Sequence, residues 1–214
     1  MPENQNEVEL YLIRHAQTVM NTNTHLVGGR SNESPLTIKG EEQAKRLGRY
    51  LLAKEIIPGA VYTSPAVRTV RTAEISLAEM GLDLTPIIQD EIQELGQGPS
   101  EGKPRLKVYT PLVLAEIMRQ GKNFKLPGGE SMNGVGKRMN DWAENRFAGT
   151  QTDQEQKYLV YTHGGAIRYW ASYLNNWPHL KTYKTEIDNT SVSRFSRQNG
   201  RWQLDYLNRD PAEL

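Results

Sequence analysis

Short runs of β-branched and aromatic residues alternate along this chain with longer runs whose apolar residues recur at helical spacing. The runs at 8–13, 60–63 and 158–161 are typical of buried strands, and the run at 37–55 is typical of an amphipathic helix. Strands and helices that alternate with short connections form a mostly parallel sheet covered by helices. We therefore predict an α/β fold, a three-layer sandwich with a mostly parallel central sheet and helices on both faces.

Capping and turn residues set the boundaries of the predicted elements. Thr37 is a candidate N-cap, and Ser64 followed by Pro65 predicts that a helix begins at once after the second strand. The dipeptide Asn199-Gly200 is typical of a tight hairpin. The remaining expected elements are a strand at 84–89, helices at 131–147 and 167–174, and strands at 191–195 and 201–207.

The chain has 214 residues, with no internal repeat and no Ser/Gly linker, so we expect a single domain over 1–214. Residues 96–129 show no clear periodicity, and we expect an irregular cap segment that determines specificity. Its basic residues form either a solvated face or a surface that contacts the remote part of a ligand. They are Lys103, Arg105, Lys107, Lys122 and Lys125.

The composition excludes several classes of protein. Lysine and arginine number 26 against 25 acidic residues, so the chain lacks the basic surplus with which proteins bind nucleic acids or membrane surfaces. The absence of cysteine excludes disulfides and a thiol nucleophile. The first nine residues do not resemble a secretory leader, and no apolar run approaches the length of about 20 residues that spans a bilayer. We expect a cytoplasmic protein that binds neither nucleic acid nor membrane.

Polar side chains follow three of the predicted strands at the point where each strand ends. Arg14 and His15 follow the first strand, Arg68 lies early in the helix after the second, and His163 follows the strand at 158–161. In a parallel sheet these strand ends meet at one edge, where ligands bind. Two guanidinium groups and two imidazoles repel one another unless an anion such as phosphate lies between them. The arginines should also lower the pKa of His15, which keeps its imidazole neutral and nucleophilic.

The residues around His15 and six further blocks resemble the histidine phosphatase superfamily, in its phosphoglycerate-mutase-like branch. Arg14-His15-Ala16 after a strand is similar to the Arg-His-Gly motif of that family. The further blocks follow in family order: SPLTIKG at 34–40, TSPAVRTVRTA at 63–73, ELGQGPSEG at 94–102, PGGES at 127–131, THGG at 162–165 and DNTS at 188–191. Seven ordered blocks are far more specific than one tripeptide.

The resemblance implies a role for each matching residue. His15 resembles the nucleophile that takes the phosphoryl group, and Glu94 resembles the acid that protonates the leaving group and then activates water. Arg14, Arg68 and His163 resemble the catalytic pocket that neutralises the phosphate oxygens. The further residues expected to bind phosphate are Asn21, Gly28 and Gly164. We expect no metal ion and no cofactor, because arginine and histidine supply the positive charge and no zinc-ligand spacing is present.

The implied activity is hydrolysis of a small phosphomonoester, so the expected partner is a small phosphorylated substrate. A mutase that returns the phosphoryl group to a substrate is one alternative. The span from Glu94 to Pro127 is short for the insertion with which similar mutases shield the phosphohistidine, which favours hydrolysis. A non-catalytic phosphate-binding regulatory protein is another alternative, and only Ala16 in place of the usual glycine suggests it. A homodimer is also left open.

The sequence leaves open which carboxylate is the acid and where two histidines lie. Glu91 or Glu101 is an alternative to Glu94 as the acid, because all three carboxylates lie in the same short stretch. His25 and His179 lie in polar surroundings, and we expect both of them to be exposed.

Overall fold

The computed structural model describes residues 8–147 and 156–212, so residues 1–7, for which we expect no secretory leader, lie outside the described part. The strands are β1 (Val8–Arg14), β2 (Ala60–Thr63), β3 (Ile87–Ile88), β4 (Gln156–Thr162), β5 (Val192–Gln198) and β6 (Arg201–Arg209). The helices are α1 (Val19–Thr22), α2 (Ile38–Ala53), α3 (Val67–Glu79), α4 (Arg105–Val108), α5 (Pro111–Gln120), α6 (Met132–Phe147), α7 (Gly164–Leu174) and α8 (His179–Lys184). None of the helices within these described ranges is both long and apolar enough to cross a membrane.

The strands form one sheet in the order β3-β2-β4-β1-β5-β6. The four strands β3, β2, β4 and β1 run parallel, whereas β5 and β6 are antiparallel to their neighbours. Because β4 lies between β1 and β2, the carboxyl ends of three parallel strands meet at the same edge of the sheet. Loops that follow these strands therefore converge there.

Helices cover both faces of the sheet. On one face α2 and α3 pack in a cluster that includes Leu47 and Ile13, and on the other α6 and α7 pack in a cluster that includes Trp170 and Leu12. Ile13 and Leu12 are neighbours in β1, and they enter opposite clusters because side chains alternate along a strand. The architecture is the three-layer α/β sandwich that the sequence predicts.

Helix α3 begins later than the Ser64-Pro65 pair predicts. Its first helical residue is Val67, and Ala66 is its N-cap without any side-chain cap hydrogen bond. Ser64 is fully buried, and its hydroxyl lies 2.8 Å from His163 Nε2. The prediction that Ser64 caps the helix was wrong, because a contact with a distant strand end takes the place of the local capping bond.

The cap segment, residues 96–129, is largely helical, although we expected an irregular loop. Thr110 caps α5, Pro111 is its first residue, and Gly121 ends it with a φ of +58°. These are ordinary start and stop signals. Helix α5 has apolar residues at helical spacing, Leu114, Ile117 and Met118, but none of its residues is buried.

The last two strands form the predicted hairpin. Asn199 and Gly200 join β5 to β6 with φ values of +49° and +74°. Two successive positive φ values are what a two-residue turn between twisted strands requires. The predicted strand at 84–89 is shorter than expected, because only the two residues of β3 pair with β2 at the edge of the sheet.

Candidate active site

Residues from three strand ends form a cluster that we call the cationic cup: Arg14, His15, Arg68 and His163. His15 follows β1, His163 follows β4, and Arg68 lies in the first turn of α3 after β2. The two imidazole rings lie edge to face with their centroids 5.3 Å apart, and Arg68 Nη2 lies 3.0 Å from His163 Nδ1. The fold thus brings together the four residues that the strand-end argument selects.

The imidazole of His15 is held in one tautomer. Its Nδ1 lies 2.8 Å from the carbonyl oxygen of Ala16, and because a carbonyl only accepts, Nδ1 carries the proton. The neutral ring then has its lone pair on Nε2. Ala16 is itself fixed, since it is fully buried and its amide donates to Thr72 Oγ1 at 3.0 Å. Its φ is not in the positive range, so alanine fits the backbone where the family usually has glycine.

Arg68 links the cup to the loop that contains Arg30 and Ser31. Its Nη1 donates to the carbonyl of Ser31 at 2.8 Å, and its Nη2 donates to the carbonyl of Arg30 at 2.7 Å and to His163 Nδ1. Since His163 Nδ1 accepts, its Nε2 carries the proton and donates to Ser64 Oγ. The orientation of Arg68 is therefore set by the protein and does not depend on a ligand.

Burial and the arginines keep both imidazoles of the cup neutral. Burial lowers the pKa of His15 well below its ordinary value, and the charges of Arg68 and Arg14 lower it further. Burial and Arg68 likewise lower the pKa of His163. Burial also lowers the pKa of Arg68 to about 10, which leaves this guanidinium charged at neutral pH. The site therefore combines fixed positive charge with an uncharged imidazole.

These low pKa values predict how stability depends on pH. Below a pH of about 6.5 the histidines of the unfolded chain gain protons, whereas His15 and His163 in the folded protein do not. The unfolded state then binds more protons, so the free energy of unfolding falls as the pH falls, by about 1.4 kcal/mol per pH unit for each such histidine. We expect the free energy of unfolding of His163→Gln to fall less steeply between pH 6.5 and 5.5, because the contribution of one histidine is removed. Urea denaturation at each pH measures this. The exposed His25→Gln is the control; equal slopes in all three proteins would contradict the prediction.

Glu94 lies at the rim of the cup, where it contacts the first turn of α7. Its Oε2 accepts from the amide of Gly165 at 2.9 Å, and its Oε1 accepts from the amide of Leu95 at 2.7 Å. Both Glu94 and His15 line the same cavity. A carboxyl group held there by two backbone amides can exchange a proton with an oxygen bound in the cup.

Gly165 is needed for Glu94 to occupy this position. A Cβ atom on Gly165 would lie 2.1 Å from Glu94 Oε1, so Gly165→Ala must displace the carboxylate. We expect kcat for an alkyl phosphate, whose leaving group needs a proton, to fall about 100-fold, because small displacements of a reacting group have effects of this size. The dissociation constant of inorganic phosphate should change little. Gly59→Ala is the control, since its added Cβ meets only a carbonyl oxygen 3.9 Å away; a fully active Gly165→Ala would show that Glu94 need not stay there.

Two further residues brace the chain segment that carries Glu94, and the sequence argument missed their role. Arg138 of α6 donates to the carbonyl of Gln93 at 3.2 Å and forms an ion pair with Glu130 at 3.0 Å. Glu130 in turn accepts from the amide of Gly96 at 2.9 Å. Glu130 lies in the PGGES block, but nothing in the sequence indicates that Arg138 reaches across to this loop.

The two alternative acids lie elsewhere. Glu91 is exposed. Glu101 accepts hydrogen bonds from the amides of Arg30, Ser31 and Gln97 at 2.9–3.1 Å. Glu101 thereby holds the loop to which Arg68 donates. Neither Glu91 nor Glu101 lines the cavity that His15 lines.

The other residues expected to bind phosphate line the cavity in different ways. Asn21 accepts from the amide of Thr18 at 3.0 Å and from Asn189 Nδ2 at 3.3 Å, so its side-chain oxygen is engaged with the protein. Gly28 lines the cavity, but a Cβ atom there would meet nothing within 4 Å. Gly164 packs close to Arg14, whose Cδ would lie 3.3 Å from an added Cβ.

Three members of the cationic cup, Arg14, His15 and Arg68, line a cavity of about 910 Å³ to which the cap segment and α8 also contribute, whereas His163 is fully buried and does not line it. His179 lines this cavity and is only partly exposed, so the expectation that it is exposed was wrong, whereas His25 is exposed as expected. Of the five basic residues of the cap segment, Arg105 and Lys125 line the cavity and the other three do not. The folding of the cap segment into helices is what divides this basic run between cavity and solvent.

A model of the family described as the histidine phosphatase superfamily (branch 1) matches residues 10–210 of this chain. The chain belongs to the histidine phosphatase superfamily. The resemblance read from its ordered sequence motifs is thus confirmed. Among curated proteins, a "probable phosphoglycerate mutase" from Salmonella paratyphi C is 28% identical over 198 residues, which cover 91% of this chain and 87% of that relative.

Solved structures with the same fold include members of this superfamily with different activities. A phosphoglycerate mutase from Bacillus anthracis superposes with a TM-score of 0.80 at 24% identity, covering 98% of this chain and 96% of that one. A mycobacterial glucosyl-3-phosphoglycerate phosphatase superposes with a TM-score of 0.79 at 22% identity, covering 95% and 99%. At these identities the structures support the fold, which is that of the phosphoglycerate-mutase-like histidine phosphatases.

Proposed function

We propose that this histidine phosphatase superfamily member is a phosphatase that hydrolyses a small phosphomonoester through a phosphohistidine on His15, with Glu94 as general acid and base. One observation carries the proposal: a neutral imidazole with its Nδ1 proton bound to the carbonyl of Ala16 lines a cavity beside Arg14 and Arg68. Such a ring has its lone pair on Nε2 and lies among charges that attract a phosphate dianion.

In the first step His15 Nε2 attacks phosphorus. A nitrogen–phosphorus bond forms, the ester phosphorus–oxygen bond breaks, and the electron pair leaves with the ester oxygen, which takes a proton from Glu94. In the second step Glu94 removes a proton from water, the water oxygen attacks phosphorus, and the bond to Nε2 breaks. The products are an alcohol and inorganic phosphate, and the imidazole of His15 is neutral again.

Arg14 and Arg68 stabilise the transferring group, and His163 holds Arg68 in place through its Nδ1. The positive charges of the two guanidiniums offset the charge on the phosphoryl oxygens, and the hydrogen bonds from Arg68 to the carbonyls of Arg30 and Ser31 fix its direction in advance. Donors that are already oriented need not reorganise during the reaction, and losing one such donor typically raises the barrier by about 3–4 kcal/mol. The proposed mechanism requires no metal ion and no cofactor.

Phosphoryl transfer of the phosphoglycerate mutase type is a second candidate, which the sequence similarity to a probable phosphoglycerate mutase favours. A mutase has to protect its phosphohistidine from water until a second substrate accepts the phosphoryl group. The cavity of about 910 Å³ is bordered by exposed cap residues, such as Leu106 and Met118. Access of water through such an opening favours hydrolysis.

Assays in water enriched in ¹⁸O test the proposal. A phosphatase should release inorganic phosphate that carries one solvent oxygen, and 3-phosphoglycerate should yield phosphate without accumulating 2-phosphoglycerate. Interconversion of the two phosphoglycerates without phosphate release would establish the mutase instead. If p-nitrophenyl phosphate and all phosphoglycerates remained intact although inorganic phosphate bound, the protein would be the non-catalytic binder that Ala16 suggests.

A further inference from the structure

Apolar side chains from three helices line one part of the cavity, beside basic residues that include Arg105, Lys125 and Lys184. We call this part the apolar chamber; it is formed by Leu106 of α4, Leu114, Ile117 and Met118 of α5, and Leu180 and Tyr183 of α8. Five of these residues are at least half exposed: Leu106, Leu114, Met118, Leu180 and Tyr183 have exposed fractions of 92, 50, 64, 54 and 60%. Covering such apolar side chains with an apolar ligand removes them from water, which is favourable.

The carboxylates of the cavity are not available to bind hydroxyl groups in this chamber. Among the described residues that line it, only Glu94 and Glu130 carry carboxylates. Glu94 is held at the rim of the cationic cup, and Glu130 is bound by Arg138, Arg30 and the amide of Gly96. Of the six side chains that form the chamber, only that of Tyr183 carries a hydrogen-bonding group. The hydroxyl groups of a sugar or a glycerate buried among the others would lack partners, which is unfavourable.

The size of the cavity leaves room for a large leaving group. A volume of about 910 Å³ lies near the upper end of the usual range of about 300–1,000 Å³ for small-molecule sites. A phosphate group in the cationic cup occupies a small part of it. The remainder is continuous with the cup, so a ligand bound at His15 extends into the apolar chamber.

We propose that the substrates of this protein are phosphomonoesters of hydrophobic alcohols or phenols, whose apolar leaving groups fill the apolar chamber. This inference rests on the proposed phosphatase function. The occupant follows from the continuity of the chamber with the cup: a group tethered to a bound phosphate reaches the chamber without a second association step. A protein segment seated there would close the route by which a phosphate reaches His15.

A series of unbranched alkyl phosphates from ethyl to octyl isolates this effect. Their leaving groups have nearly the same basicity, so differences in kcat/KM report binding and not chemistry. Burying one methylene contributes about 0.8 kcal/mol, which corresponds to about fourfold. We expect kcat/KM to rise about two- to fourfold per methylene until the chamber is filled, and we expect octyl phosphate to be hydrolysed at least 100-fold faster than glucose 6-phosphate or 3-phosphoglycerate at low concentration.

Variants of α5 locate the effect in the chamber. Leu114→Asn and Met118→Asn should each flatten the dependence of kcat/KM on chain length. Leu112→Asn is the matched control, because Leu112 lies on the same helix, is 84% exposed and does not line the cavity. It should leave the dependence unchanged. All three substitutions affect exposed positions, so the variants should fold, and circular dichroism checks this.

The possible failures are distinguishable. A flat alkyl series, with hydrolysis that still requires His15, would overturn the substrate class and leave the proposed phosphatase intact. Hydrolysis that is absent, or unchanged in His15→Ala, would overturn the proposed function itself. Light scattering measures whether the protein is a dimer. If Leu114→Asn and Met118→Asn dissociate a dimer and leave the dependence of kcat/KM on alkyl chain length unchanged, these residues form an interface between two copies of the chain. The substrate proposal would then be wrong.

Discussion

Replacing His15 with alanine is expected to lower kcat/KM for p-nitrophenyl phosphate by roughly 10⁴-fold or more, because removal of a catalytic nucleophile typically has an effect of this size. His163 cannot substitute for His15. The ring of His163 lies beside that of His15, but its two nitrogens already contact Arg68 and Ser64. Arg14 and Arg68 are unaltered, so inorganic phosphate should still bind to the variant.

Trapping the intermediate makes this prediction specific to the nucleophile. With ³²P-labelled substrate and rapid quenching, the native protein should carry label that is stable to base and labile to acid, as a phosphohistidine is, and His15→Ala should carry none. The exposed His25→Ala serves as the control and should behave as the native protein does. Label retained in His15→Ala, or turnover within tenfold of the native rate, would assign the nucleophile to another residue.

Glu94→Gln is expected to have the second largest effect. General acid–base catalysis contributes about 10²–10⁴-fold, and the amide can neither donate the required proton nor remove one from water. The loss should depend on the leaving group. It should be largest for an alkyl phosphate, whose alkoxide must be protonated, and smallest for p-nitrophenyl phosphate, whose phenolate leaves without a proton. Steady-state kcat across a series of aryl and alkyl phosphates measures this difference.

Two other carboxylates provide matched controls for Glu94. Glu91→Gln changes an exposed side chain and should leave the rates unaltered. Glu101→Gln perturbs the loop that orients Arg68, so it should raise KM and weaken phosphate binding, with the same factor for every leaving group. If Glu101→Gln, and not Glu94→Gln, showed the dependence on leaving group, the acid would be Glu101.

The sheet and the cationic cup could be predicted because they follow from strong local patterns. Buried strands are read from runs of branched and aromatic residues, and parallel strands place their carboxyl ends at one edge. Arg14, His15 and His163 directly follow such strands, so their convergence requires only the topology. The same reasoning selected Arg68 even though its helix begins later than predicted.

The contacts that complete the site could not be predicted from local patterns. Ser64 has the sequence context of a helix cap, and its hydroxyl instead contacts His163, 99 positions away in the chain. Arg138 crosses from α6 to the segment that carries Glu94. Long-range hydrogen bonds of this kind depend on the packing of whole elements, and no periodicity reports them. Helix α5 differs from these contacts, because Thr110, Pro111 and Gly121 bound a run with apolar residues at helical spacing, so the sequence does carry its signal.

The order of the strands has a consequence for the synthesis of this protein. Strand β4 lies between β1 and β2, although it is made about a hundred residues after β2. A nascent chain that ends before β4 lacks the central partner that joins its first two strands. Pairings so distant in sequence form slowly. The ribosome must therefore have completed about three quarters of the chain before the parallel part of the sheet can form, and a chain interrupted earlier is expected to aggregate through its open strand edges.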